Sequence, residues 1–207
     1  MIPPVSRVFT ARTARLTLSG RCRHHDKPRA LFLDRDGVIN IESVGSYITS
    51  WGEFKFHDGV LDALRSLSHV FGNIIVVSNQ RGVGRGIMSM ETLREINANM
   101  RQAITENGGR VDKIYAATSV TDEDHNRKPN TGMGQQAQED FPEIDFKRSI
   151  MIGNSISDME FGKRLSMYTV FLTTKHEPFS LPHDLIDEQY ASLYAWASRL
   201  IPAEVVG

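Results

Sequence analysis

Short, β-rich apolar runs alternate with amphipathic stretches along most of this chain, and that alternation limits its fold more than any other feature. The runs are Ala30 to Leu33, Asn73 to Val77, Lys113 to Ala117, Ser149 to Ile152 and Tyr168 to Leu172. Between them the apolar spacing predicts helices over Val60 to His69, Met90 to Asn107, Gly134 to Asp140 and Ser157 to Leu165. Asn107-Gly108-Gly109 supplies a stop for the longest helix. Strands that alternate with helices pair in parallel, because each helix carries the chain back to the start of the sheet. The expectation is an α/β, Rossmann-like three-layer sandwich with a mainly parallel sheet. In such sheets ligands bind beyond the carboxyl ends of the strands, so the residues after each run become the candidate site.

The chain is long enough, at 207 residues with 40% hydrophobic content, to bury one substantial core. Its formal net charge of −1 gives no general attraction to nucleic acid or to an acidic membrane, and no apolar run reaches membrane-spanning length. The single cysteine, Cys22, offers no internal disulfide or thiolate cage and fits a reducing, cytoplasmic setting. Residues 1–27 hold five arginines among Ser and Thr, with no acid before Asp26. That composition is loosely like a transit peptide, but it reads better as a poorly ordered basic extension. Cys22, His24 and His25 fall within it. The domain expected is 28–201, with a short tail at 202–207 and no large inserted cap domain.

The first run ends in Asp34-Arg35-Asp36-Gly37. Side chains two apart in extended backbone point the same way, so both carboxylates can face one centre. Their repulsion calls for a cation, and the glycine lets the chain turn away sharply. Taken alone, the tetrapeptide reads better as a surface turn, and only companions elsewhere in the chain overturn that. The second run ends in Ser78-Asn79-Gln80-Arg81 and a glycine-rich segment to Gly86. It offers a hydroxyl and backbone donors suited to phosphoryl oxygens. After the third run comes Arg127-Lys128-Pro129, a point charge beside a guanidinium fork. The fourth ends in Gly153-Asn154-Ser155-Ile156-Ser157-Asp158, where Asn154 and Asp158 could reach a metal and Asp158 could instead cap the following helix.

Four such clusters in order, each at a strand tip, resemble the haloacid dehalogenase-like (HAD) phosphohydrolases. Asp34 to Asn40, Ser78-Asn79-Gln80, the glycines from Gly82 and Arg127-Lys128-Pro129 resemble the branch of histidinol-phosphate and D-glycero-D-manno-heptose 1,7-bisphosphate phosphatases. The resemblance spans roughly residues 29–172. It implies that Asp34 attacks phosphorus and forms an aspartyl-phosphate, and that Asp36 serves as general acid and then base. It implies Mg²⁺ held by Asp34, the Asp36 carbonyl and the fourth cluster. Ser78, Asn79 and Lys128 would bind phosphoryl oxygens, with Gln80, Arg81 and Arg127 also on the substrate. The substrate class implied is a small phosphorylated metabolite, with the heptose bisphosphate favoured over histidinol phosphate. A nucleic-acid end phosphatase would want a basic approach surface. A weakly active or non-catalytic phospho-ligand-binding module is the reading from another class.

Two departures from the branch stand out. Asn154 replaces an Asp that binds Mg²⁺ directly, which shifts weight onto Asp158 as a direct or water-mediated ligand. The segment from Thr118 to Asn126 lacks the cysteines that hold a structural zinc in the branch. His125 among Asp122, Glu123 and Asp124 reads as a solvated loop residue, so no zinc is expected. That loop is still expected to cap the site. Trp51, Phe54, Phe56 and His57 read as packing under a loop, and Ser192 as the cap of a last helix carrying Tyr194 and Trp196. A monomer or weak dimer is expected.

Overall fold

The computed structural model describes residues 30–43 and 45–200. The basic extension with Cys22, His24 and His25, and the tail, lie outside the described residues. Six strands, β1 (Ala30–Leu33), β2 (Asn73–Asn79), β3 (Lys113–Ala117), β4 (Ile150–Gly153), β5 (Tyr168–Leu172) and β6 (Glu188–Tyr190), form one sheet in the order β3-β2-β1-β4-β5-β6. Every adjacent pair is parallel. The helices are α1 (Val60–Val70), α2 (Arg81–Gly84), α3 (Met90–Glu106), α4 (Gly132–Asp140), α5 (Ile156–Arg164) and α6 (Leu193–Leu200).

Alternation along β1 makes the three layers. Leu31 and Leu33 join a core with Leu64 and Leu67 of α1, Ile96 and Met100 of α3 and Trp196 of α6. Ala30 and Phe32 face the opposite side, against Met133 and Ala137 of α4 and Phe161 of α5. Full burial of such side chains stabilises by about 1.5–3 kcal/mol each, so β1 is fixed from both faces. Trp51, Phe54 and Phe56 pack on one another, with Phe54 and Phe56 edge to face at 5.1 Å. Ser192 caps α6 by accepting from Ala195 N at 3.1 Å.

β1 lies between β2 and β4, where the winding of the sheet reverses, and that is where α/β folds open a crevice. Leu33 aligns with Val76 on one side and Ile152 on the other. Asp34 N continues the ladder to Ile152 O at 3.0 Å. The tips of β1 and β4 are therefore level, and β2 runs three residues further, to Asn79.

Two elements differ from the sequence expectation. β6 is three half-buried polar residues at the sheet edge, and such a strand carries no apolar period. The glycine-rich segment after β2 forms the single turn α2, not an open cradle. A Cβ at Gly84 would overlap Thr118 O, so this glycine serves a close approach of α2 to the loop after β3.

Candidate active site

A cavity of about 190 Å³ opens at the tips of β1, β2 and β4. Asp34, Asp36, Asn79, Gln80, Lys128, Asn154 and Asp158 line it together, as the sequence grouped them. Ser78, Arg81 and Arg127 are not among its lining residues.

Asp34 and Lys128 form its floor. Lys128 Nζ lies 2.9 Å from Asp34 Oδ1 and 2.6 Å from Asp158 Oδ1, and it also donates to Val77 O at 2.7 Å. The contact to Asp158 Oδ1 joins two side chains that are each 1% exposed. Asn79 fixes the backbone of Lys128 from both sides: its Nδ2 donates to Lys128 O and its Oδ1 accepts from Lys128 N, each at 3.0 Å. Burial pushes the Asp34 carboxyl up to about 7; Lys128 opposes the rise, while Asp158 and Asp36 add to it. Burial pulls the Lys128 ammonium down, but Asp158 and Asp34 outweigh it and hold it above the usual lysine range.

Asp36 is bound differently. Arg35 Nη2 reaches both its oxygens at 3.0 Å, Asn40 Nδ2 donates to Oδ1 at 3.0 Å and Gln80 Nε2 donates to Oδ2 at 2.6 Å. Gln80 Nε2 also donates to Ser78 Oγ at 2.8 Å. Gln80 thus orients Asp36 and Ser78, and the Ser78 hydroxyl sits behind the cavity wall. Arg35, only 1% exposed, is a member of this network that the sequence reading passed over. An arginine between two acids looks solvated on paper; its burial appears only once Asn97 Oδ1, 62 residues away, accepts from it at 3.2 Å.

At the tip of β4, Asn154 Nδ2 donates to Glu42 Oε2 at 3.2 Å and to Thr174 Oγ1 at 3.3 Å. Gly37, at φ +83°, lies against this amide, and a Cβ there would overlap Asn154 Nδ2. Asp158, expected at a metal, lines the cavity and makes contacts of its own. Its Oδ2 accepts from Ser155 N at 3.0 Å and Ser155 Oγ at 2.6 Å, closing the capping box of α5, and its Oδ1 faces Lys128. Among the described residues no three His, Cys, Asp or Glu side chains gather as a metal cluster.

The two arginines turn elsewhere. Arg127 Nε donates to Asp122 Oδ1 at 2.9 Å, and Arg81 Nη2 meets the same oxygen. Asp122 thus engages both guanidinium groups, and no residue of the loop 118–126 lines the cavity. Glu42, Ser43, Tyr47 and Lys175 wall it instead. His125 Nε2 is bound to Gln135 Oε1 at 2.8 Å.

The raised Asp34 pKa has a consequence in metal-free protein. Between the ordinary carboxylate value of 3.8 and about 7, the unfolded chain has released a proton that the folded chain retains. Its contribution to stability therefore falls as pH rises through that window. Thermal melts in EDTA should show Asp34→Asn gaining on wild type from pH 5 to pH 8; equal pH slopes for the two proteins would contradict the shift.

A carboxylate floor with a buried lysine at the switch point of a parallel sheet is the arrangement of the HAD-like class. The family model described as polynucleotide kinase 3 phosphatase matches residues 31–191. A D-glycero-beta-D-manno-heptose-1,7-bisphosphate 7-phosphatase of Haemophilus influenzae is 36% identical over 141 residues, 65% of this chain and 75% of the relative. The protein of that name from Photorhabdus laumondii is 32% identical over 186 residues, 86% of this chain and 95% of the relative. The solved D,D-heptose 1,7-bisphosphate phosphatase of B. bronchiseptica, complexed with magnesium and phosphate, superposes with a TM-score of 0.75 at 25% identity, covering 83% of this chain and 97% of its own. The chain belongs to the HAD-like heptose-1,7-bisphosphate phosphatase family.

Proposed function

We propose that this chain is a Mg²⁺-dependent phosphomonoesterase whose substrate is a small sugar phosphate, D-glycero-D-manno-heptose 1,7-bisphosphate in particular. The observation that carries the reading is the buried Asp34 carboxylate, 2.9 Å from Lys128, on the floor of a strand-tip cavity. The names of the relatives support the substrate.

The residues present suit a magnesium ion. Asp34 is a desolvated carboxylate beside Asp36 and Asp158 whose ionised form burial opposes. Asp34, the Asp36 backbone carbonyl and Asn154 Oδ1 would hold the cation through hard oxygen donors, with water completing its shell. Mg²⁺ bound there supplies positive charge that screens nucleophile from phosphate and favours the charge developing on phosphoryl oxygens.

Asp34 attacks phosphorus in line; the bond to the leaving oxygen breaks as the bond to the Asp34 carboxylate forms. Asp36 gives its proton to the departing oxygen and then takes one from the water that cleaves the aspartyl-phosphate, returning Asp34 and phosphate. Lys128 places its ammonium on a phosphoryl oxygen, held there by the Asn79 clasp and by Asp158. Gln80 acts through Asp36, positioning its carboxyl. Arg81 and Arg127 each spend one nitrogen on Asp122 and would meet substrate through their remaining donors.

The matched family model bears the name of a nucleic-acid end phosphatase, yet three cations near the rim are each already engaged by an acid. Lys175 is paired with Glu42, and Arg81 and Arg127 with Asp122. Phosphate release from the heptose bisphosphate, histidinol phosphate and a 3′-phosphorylated oligonucleotide, each with Mg²⁺ and with EDTA, decides the matter. The sugar phosphate is expected to have a kcat/KM at least about tenfold above the others, a gap of about 1.4 kcal/mol, and EDTA to abolish turnover. Preference for the oligonucleotide would overturn the substrate, and no Mg²⁺-dependent turnover on any of the three would overturn the hydrolase.

A further inference from the structure

The tip of β4 presents a neutral amide, yet a carboxylate reaches it from the opposite wall. Glu42 Oε2 accepts from Asn154 Nδ2 at 3.2 Å. Thr174 Oγ1 stands 3.3 Å from the same nitrogen and gives its own proton to Gly37 O at 2.8 Å, so toward Asn154 it acts as an acceptor. An ionised carboxylate can only accept. Two acceptors on one side settle the rotation of the amide: its NH₂ faces Glu42, and Oδ1 is the atom left for a ligand. The opposite rotation would set oxygen against oxygen twice.

Charge points the same way. The cavity walls hold the carboxylates of Asp34, Asp36, Asp158 and Glu42 against the cations of Arg35, Lys128 and Lys175. Lys128 and Arg35, both buried, hold the first three acids. Among the described residues Glu42 has only Lys175 as counter-ion, 2.8 Å away, with side chains 32% and 29% exposed at the cavity mouth. Ion pairs with that much access to water are weak, so the charge of Glu42 remains largely available to the site. With Asp34 ionised, the walls without Glu42 would be neutral.

We propose that Glu42 is a positioning carboxylate of the divalent-cation site, holding Asn154 so that Oδ1 is presented and restoring the negative charge that an amide lacks. The hydrogen bond from Nδ2 also draws electron density toward Oδ1, as outer carboxylates do for ligating histidines. This inference rests on the cation-dependent reading above and adds a residue to it.

Mn²⁺ binding to the full chain, followed by the loss of the free-ion paramagnetic resonance signal, tests it without any turnover. Glu42→Gln is expected to weaken Mn²⁺ binding by about 10- to 100-fold. Lys175→Met should tighten it, because a positive charge on the cavity wall is gone. Adding Asn154→Asp to Glu42→Gln should restore affinity to the wild-type level or better, since formal charge returns to the strand tip. Wild-type affinity in Glu42→Gln, unchanged or weaker binding in Lys175→Met, or no recovery in the double variant would overturn the role of Glu42 while leaving the cation site standing. If the wild-type chain itself binds no Mn²⁺, the cation-dependent reading falls as well.

Discussion

Asp34→Asn is expected to cut phosphate release by at least about 10⁴-fold while leaving the fold intact, because it removes the atom that forms the new bond to phosphorus. The substitution is nearly isosteric, and it deletes the carboxylate whose ionisation burial opposes. The variant should therefore melt at or above the wild-type temperature in EDTA at pH 8. Loss of activity without loss of stability separates a nucleophile from a structural acid. Acid quench during turnover of labelled substrate gives a second readout: label stays with wild-type protein as an acyl phosphate and is absent from Asp34→Asn. Turnover within tenfold of wild type, or label retained by the variant, would remove Asp34 from the reaction.

What the sequence displayed and what it hid follow from the range of the interactions. Each central strand is fixed by its own apolar run, so β1 to β5 and the four long helices were legible within a few residues, as was the gathering of Asp34, Lys128, Asn154 and Asp158 beyond the carboxyl ends of the strands. β6 was not legible because its pairing with β5 uses backbone atoms while its side chains stay half-exposed. The partners within the site were hidden for a related reason. Asp158 has two roles open to it at a helix N-terminus, and only the folded distance to Lys128, 30 residues away in sequence, selects the capping box and ion pair. Arg81 and Arg127 look unpaired in sequence, and the loop carboxylate that both contact shows only in the fold. Glu42 gave no signal, since an exposed-looking acid in a polar loop resembles any other. Its link to Asn154 spans 112 positions, and its contact with Lys175 spans 133.

Lys128→Met should be the most costly single change to the fold at this site. The ammonium is buried between two carboxylates and a backbone carbonyl, and a thioether of similar length leaves all three without their cation. Breaking a buried ion pair by removing one partner typically costs about 3–5 kcal/mol, which for a chain of this size lowers the melting temperature by roughly 6–20 °C. The loss should depend on pH in a defined direction. With Lys128 gone, the opposing pull on Asp34 is gone too, so its carboxyl titrates above the wild-type value of about 7 and is protonated at pH 5. A protonated Asp34 needs no counter-ion, so the deficit relative to wild type should be smaller at pH 5 than at pH 8. Turnover should fall by about 10²- to 10³-fold as a preorganised phosphoryl donor is lost, and Lys128→Arg should not restore it, because a planar fork cannot replace a compact ammonium inside the Asn79 clasp. A Lys128→Met protein that melts like wild type at pH 8 would show that the buried triad does not hold the strand tips together, and the floor of the cavity would then need another source of its order.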